Sequence, residues 1–173
     1  MSPARQAKGA ERLPPQIVGW ADDLLGALVA NHASAHCTVF LFDPARDALV
    51  LVGQVAAGDR GESEVVPGDW TVPLDQSVCG RVFRTGRPAL VVDVRLDPDY
   101  RAYPGGRAGS ELAVPIRAGD RVVGVLNCES PFVASFGIED VDSLASRAAE
   151  AGAAFEQQEL DRYLGSADDA PGD

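Results

Sequence analysis

The chain reads as an α+β domain in which helices pack on one face of an antiparallel sheet. Three observations predict this. Segments near each end carry apolar residues at helical spacing. Between them lie six short runs rich in β-branched and aromatic residues, separated by Asp, Pro and Gly turn signals. The resulting order is helix, hairpin, strand, short helix, strand, long loop, hairpin, helix, which suits an antiparallel sheet.

Residues 1–12 are small and polar and read as a loose tail. Pro14 and Pro15 suit the first turn of a helix, where a missing N–H costs nothing. Ile17, Trp20, Leu24, Leu25 and Leu28 then form one apolar stripe on a helix ending near Asn31. Period two takes over at 38–42 and returns at 48–55, after the turn residues Asp43 to Asp47, so a hairpin is expected. Residues 58–68 read as loop, and 70–74 as a third strand that Pro73 assigns to a sheet edge. Residues 76–85 predict a short helix stopped by Gly86 and Pro88. A fourth strand at 89–92 leads into a long connection, 93–109. Strands at 110–116 and 121–129 meet at the turn Gly119-Asp120. Ile138, Val141, Leu144, Ala145, Ala148, Ala151 and Phe155 mark the apolar face of a last helix that can run to about Leu164. Glu139, Asp140 and Asp142 suit its positive N-terminal end. Residues 165–173 read as a disordered acidic tail. One folded domain, 13–164, is therefore expected between two tails.

A chain of 173 residues suits one domain with a sizeable core. No run approaches the roughly 20 apolar residues of a membrane helix, and no segment reads as a signal peptide, so a cytoplasmic protein is expected. The net charge of −11 argues against nucleic acid and anionic membranes, whose phosphates need a positive face. The charge is uneven. Residues 135–173 hold two basic side chains against ten acidic ones, whereas 81–121 hold eight arginines against five acids. Cys37, Cys79 and Cys128 lie far apart in sequence, with no zinc-like spacing, and reduced thiols are the simplest reading. His32 and His36 are spaced by four, but no third ligand lies nearby, so no metal and no cofactor are expected.

Two blocks carry a family resemblance. The first runs from Ser77-Val-Cys-Gly-Arg to Leu90-Val-Val-Asp-Val94. The second is Ser110-Glu-Leu-Ala-Val-Pro-Ile116 followed by Arg121-Val-Val-Gly-Val-Leu-Asn127, Glu129-Ser130 and Phe136. In this order and spacing the sequence resembles the GAF domain family from about Leu24 to Phe155. The resemblance implies a six-stranded antiparallel sheet, flanking helices and a small-molecule cavity roofed by the 93–109 loop. Gly80 and Gly86 suit close packing and a sharp helix exit, and Gly124 leaves room for a ligand or a neighbouring segment. Asp93 can fix the start of the loop by bonding nearby backbone donors.

The chain is also similar to an enzymatic branch, the free methionine-R-sulfoxide reductases, at Val78-Cys79-Gly80, Glu111 and Glu129. It departs from that branch at Asn127, at Asp69 and at Tyr103-Pro104, where the branch carries an acid and two further cysteines. Sulfoxide reduction needs an attacking thiolate and a second, resolving thiol. No catalytic set is therefore predicted, although redox chemistry, if present, would centre on Cys79. The Cys-His pair of bilin-binding members and the Asn-Lys-Phe-Asp-Glu set of cyclic-nucleotide-binding members are absent.

The candidate ligand-binding residues are Trp70, Cys79, Asp93, Arg95, Tyr100, Arg101, Tyr103, Arg107, Glu111 and Glu129. Arginine can grip a carboxylate or another small anion with a bidentate fork, and tyrosine offers an apolar wall with a hydroxyl. The sequence thus predicts a sensory or regulatory domain that binds a small molecule, with a small anion as one candidate. Its output would pass through a homodimer built on the terminal helices or through a protein partner. The alternative is a cysteine-dependent redox enzyme of the sulfoxide-reductase kind.

Overall fold

A computed structural model describes residues 13–29, 35–56, 66–103 and 105–164. The expected N-terminal tail, the helix end near Asn31, His32, most of the 58–68 loop, Pro104 and the acidic tail lie outside the described residues. Helix α1 (Pro15–Val29) leads to strands β1 (His36–Asp43), β2 (Ala48–Ala56) and β3 (Thr71–Pro73). Helix α2 (Val78–Thr85) precedes β4 (Ala89–Val91), β5 (Ser110–Ala118) and β6 (Arg121–Ser130), and helix α3 (Ile138–Gln157) follows. Short 3-10 turns occupy Val94–Leu96 and Leu160–Tyr163.

The strands form one antiparallel six-stranded sheet in the order β3-β2-β1-β6-β5-β4. Pro73 sits in the edge strand β3, where its missing N–H removes no ladder bond from a central position. The centre of the sheet joins β1 to β6, strands separated by most of the chain. Gly124 is required at that seam, since a Cβ there would collide with the Phe40 carbonyl of β1. The room it leaves is filled by the neighbouring strand.

Each face of the sheet carries its own core. On one face, Ile17, Leu24 and Leu28 of α1 and Leu144, Ala148 and Phe155 of α3 pack on Val39, Leu41, Leu112, Val114 and Leu126. Trp20 joins the two helices, donating from Nε1 to the Ala151 carbonyl at 2.9 Å and meeting the Phe155 ring edge-on at 5.4 Å. The opposite face is covered by α2, whose Val78, Cys79 and Val82 pack with Phe40, Leu49, Leu51 and Val125. The helices therefore do not share one face. The apolar side of the eight-residue α2 closes the other face.

Three further expectations are corrected. Ile138 lies outside the apolar stripe, 72% exposed, because the buried positions of α3 begin only at Leu144. The helix itself stops at Gln157, and a separate 3-10 turn carries the chain on to Tyr163. The cysteines also differ from the reduced-thiol reading. Cys37 and Cys128 are directly opposite in the β1–β6 register and form a disulfide, leaving Cys79 as the free cysteine. A sequence separation of 91 hides a pairing that the sheet makes immediate.

Candidate functional site

Strand alternation sorts the side chains of the central strands. On β1, Cys37, Val39 and Leu41 face α1 and α3, while His36, Thr38 and Phe40 point to the opposite face. On β6, Leu126 and Cys128 face the helices, and Val125, Asn127 and Glu129 point the other way. The register then aligns polar groups across the sheet. His36 is opposite Glu129, Glu129 is opposite Glu111 of β5, and Thr38 is opposite Asn127. All of these side chains face one cavity.

The cavity lies between this sheet face, the start of α2 and the segment after β4. Phe40, Leu51, Trp70 and Val72 form an apolar wall, and Ser77, Val78 and Cys79 form the α2 side. Arg101 and Tyr103 come from the loop. About 40 Å³ is open to the centre of a water-sized sphere, several times the roughly 10–15 Å³ that one water requires.

Local chemistry fixes the α2 side. Ser77 caps the helix by accepting from the Gly80 N–H at 2.9 Å, and its hydroxyl donates to the Pro73 carbonyl. Gly80 has no room for a Cβ, which would meet the carbonyls of Pro73 and Leu74. This close approach seats Cys79 against the sheet, with its Sγ 3.9 Å from Glu111 Oε1. Across the cavity, Tyr103 stacks on the His36 ring at 4.6 Å, and His36 Nε2 lies 3.3 Å from Gln54 Oε1. Asn127 Nδ2 donates to Thr38 Oγ1 at 3.5 Å.

The electrostatics are unusual for a buried space. Glu111 is 4% exposed and Glu129 is 9% exposed, and they are direct neighbours across two strands. Burial pushes the Glu129 carboxyl up to about 7. Burial, and then the neighbouring Glu129, hold the Glu111 carboxyl well above the usual carboxylate range. Burial and the two glutamates likewise push the Cys79 thiol up, which opposes thiolate formation. Glu111 Oε2 and Asn127 Oδ1 are buried acceptors without a hydrogen-bond partner. The buried Tyr100 hydroxyl faces Glu129 but makes no hydrogen bond of normal geometry, and burial raises its pKa.

Of the candidate ligand-binding residues, Trp70, Cys79, Arg101, Tyr103, Glu111 and Glu129 line the cavity. Tyr100 packs with the apolar cluster beside it. Asp93, Arg95 and Arg107 lie elsewhere. Asp93 caps the 3-10 turn by accepting from the Arg95 N–H at 3.0 Å and also pairs with the Arg95 guanidinium at 2.6 Å. Arg95 is exposed on the surface, as is Arg107. Sequence reasoning left His36, Thr38, Ser77 and Asn127 out of the site. Alternation within 36–42 and 125–129 was the available signal for three of them, but it becomes informative only once β1 is known to pair with β6. Among the described residues, no group of three or more His, Cys, Asp or Glu side chains could hold a metal.

An antiparallel sheet with paired terminal helices on one face, and a cavity bordered by a short helix and a loop on the other, defines the class of α+β domain. The profile of the GAF domain family matches residues 21–156, and the chain belongs to that family. The GAF domain of a phosphoenolpyruvate-protein phosphotransferase from Coxiella burnetii superposes with a TM-score of 0.71 at 18% identity, over 87% of this chain and 89% of that one. The free methionine-R-sulfoxide reductase from Neisseria meningitidis, solved with its substrate, superposes with a TM-score of 0.68 at 24% identity, over 87% and 84%. In sequence, the chain is 36% identical over 72 residues to protein ZMO0507 of Zymomonas mobilis, which covers 41% of this chain and 44% of that protein. The match thus spans less than half the length of that relative. Among the described residues no helix is long and apolar enough to cross a membrane.

Proposed function

We propose that this GAF domain is a small-molecule sensor whose ligand enters the cavity over Glu111 and Glu129. One observation carries the reading: the cavity buries polar oxygens, Glu111 Oε2 and Asn127 Oδ1, that make no hydrogen bond within the protein. A buried acceptor without a partner costs about 1–3 kcal/mol, so a ligand that supplies donors recovers that loss. A protonated amine or similar donor-rich head fits such a lining, with the aromatic wall of Trp70, Phe40 and Tyr103 taking its apolar part. A small anion fits less well, because of the three loop arginines Arg101 alone borders the cavity, while Arg95 already pairs with Asp93 and Arg107 lies off it.

The output of the sensor would pass through a homodimer on α1 and α3 or through a protein partner. The redox alternative gains no support from the thiols. Cys37 and Cys128 point to the far side of the sheet and are joined to each other, so neither can resolve an oxidised Cys79.

A melting-temperature screen with amines, amino acids, guanidinium compounds, carboxylates and phosphates tests the reading. Donor-bearing cations should stabilise the protein, and Glu129→Gln should abolish the effect. Stabilisation by anions alone, undiminished in Glu129→Gln, would sink it.

A further inference from the structure

We infer that Arg81 is the latch of the cavity: it holds the 95–103 segment closed over Cys79, and the cavity opens when this ion pair breaks. The inference rests on the proposed ligand cavity for its meaning, but not for its test. Arg81 lies on the solvent side of α2, two residues after Cys79. Its guanidinium reaches the segment with three charge-assisted bonds. Nη2 donates to Asp97 Oδ2 at 2.7 Å, and Nη1 donates to Asp97 Oδ1 at 3.1 Å and to Asp99 Oδ2 at 2.7 Å. The two acids are held for this fork, since the Asp99 N–H donates to Asp97 Oδ1 at 3.0 Å.

The rest of the attachment is lopsided. At its start the segment is anchored by backbone, with the Val94 N–H donating to the Gly109 carbonyl at 3.0 Å. Beyond Asp99 it rests on the Tyr103–His36 stack, on buried surface of Tyr100 and on one 3.3 Å bond from Arg101 to Gln76. The Arg81 side chain is 33% exposed, and Asp97 and Asp99 are 15% and 30% exposed. Water and salt can therefore reach the fork, and breaking it loosens only the α2 face, leaving the α1–α3 core closed. Cys79, 6% exposed, lines the cavity whose border carries Arg101 and Tyr103 of the segment, so lifting the segment would widen access to it. Arg81 acts here through the loop and is a positioning residue.

Iodoacetamide labelling of the folded protein under non-reducing conditions reads this opening, without any ligand. The Cys79 thiolate displaces iodide, forming an S–C bond as the C–I bond breaks, and the thiol proton goes to buffer. The Cys37–Cys128 disulfide consumes no reagent. In Arg81→Gln, the labelling rate should rise roughly five- to tenfold, as expected for loss of a partly exposed charged fork. Molar salt should speed labelling of the native protein and leave Arg81→Gln unchanged. Arg81→Lys should fall between, because a point charge cannot hold both acids in a fork. An unchanged rate in folded Arg81→Gln overturns the inference. So does an acceleration that merely tracks a fall in global stability, since Cys79 would then be reached by unfolding. If Arg81→Gln does not fold, Asp99→Asn removes one arm alone, and an unaltered rate there is equally decisive against the latch.

Discussion

Replacing Glu129 by Gln should stabilise the protein, and by an amount that depends on pH. In the unfolded chain this carboxyl ionises near 4.5, whereas in the folded protein burial holds it protonated up to about 7. Between those values unfolding releases a proton, so rising pH favours the unfolded chain. The stability conferred by the proton is complete below pH 4.5, falls as pH rises to about 7, and is absent above it. At about 1.4 kcal/mol per pH unit, the interval corresponds to roughly 3 kcal/mol. The amide of Glu129→Gln would keep the shape without a charge to bury. Removing the Glu129 carboxyl also relieves Glu111, whose own carboxyl is pushed up by burial and then by Glu129, so the two effects have the same sign. Urea unfolding of both proteins between pH 4.5 and 8 reads the difference directly. The two should be nearly equal at pH 4.5, and Glu129→Gln should lead by about 3 kcal/mol at pH 8, or roughly 6–12 °C in melting temperature. A gap that does not change with pH would refute the reasoning. It would mean that Glu129 is ionised in the folded protein and held by donors, so that the cavity is not acceptor-rich.

Other expectations follow from the packing. Denatured without reductant, the chain should show one titratable thiol, Cys79, and three after reduction; three in both cases would overturn the Cys37–Cys128 pairing. Phe155→Ala removes a fully buried ring that packs edge-on against Trp20, and calorimetry should show a loss of about 3–5 kcal/mol. Gly80→Ala forces a Cβ into the carbonyls of Pro73 and Leu74, and should cost about 1–3 kcal/mol in denaturant unfolding while leaving the α1–α3 face intact by hydrogen exchange.

The architecture was legible because most elements announce themselves locally. The runs at 38–42 and 48–55 are rich in β-branched and other apolar residues, Asp43 to Asp47 supplies a turn, and Pro73 points to an edge; each feature acts within a few residues. What escaped depends on partners distant in sequence. Cys37 and Cys128 are unremarkable as separate residues, and only the placement of β1 beside β6 joins them. His36 near the end of a predicted helix has no evident role, yet as the first residue of β1 it lies opposite Glu129 and under Tyr103. The arginine-rich 81–121 segment suggested an anion grip, but composition does not say which acid each guanidinium meets. Arg81 holds Asp97 and Asp99, Arg84 pairs with Asp75, Arg95 with Asp93, and Arg121 with Asp161.

That pairing changes what the charge distribution means. Once those four arginines are matched to carboxylates, the local positive excess contributes little inside the cavity, and Arg101 is the cationic side chain of the segment that borders it. The carboxyls inside the cavity are those of Glu111 and Glu129, which burial pushes toward the neutral form. Two buried carboxyls side by side work against the fold. Keeping them adds nothing to stability, and together with the unpaired polar oxygens of the cavity this supports the proposed ligand-binding reading. On the reading proposed above, the Arg81 ion pairs would govern access to the cavity and the two glutamates the affinity of what enters it. Variants of Arg81 and of Glu129 should therefore separate these two properties.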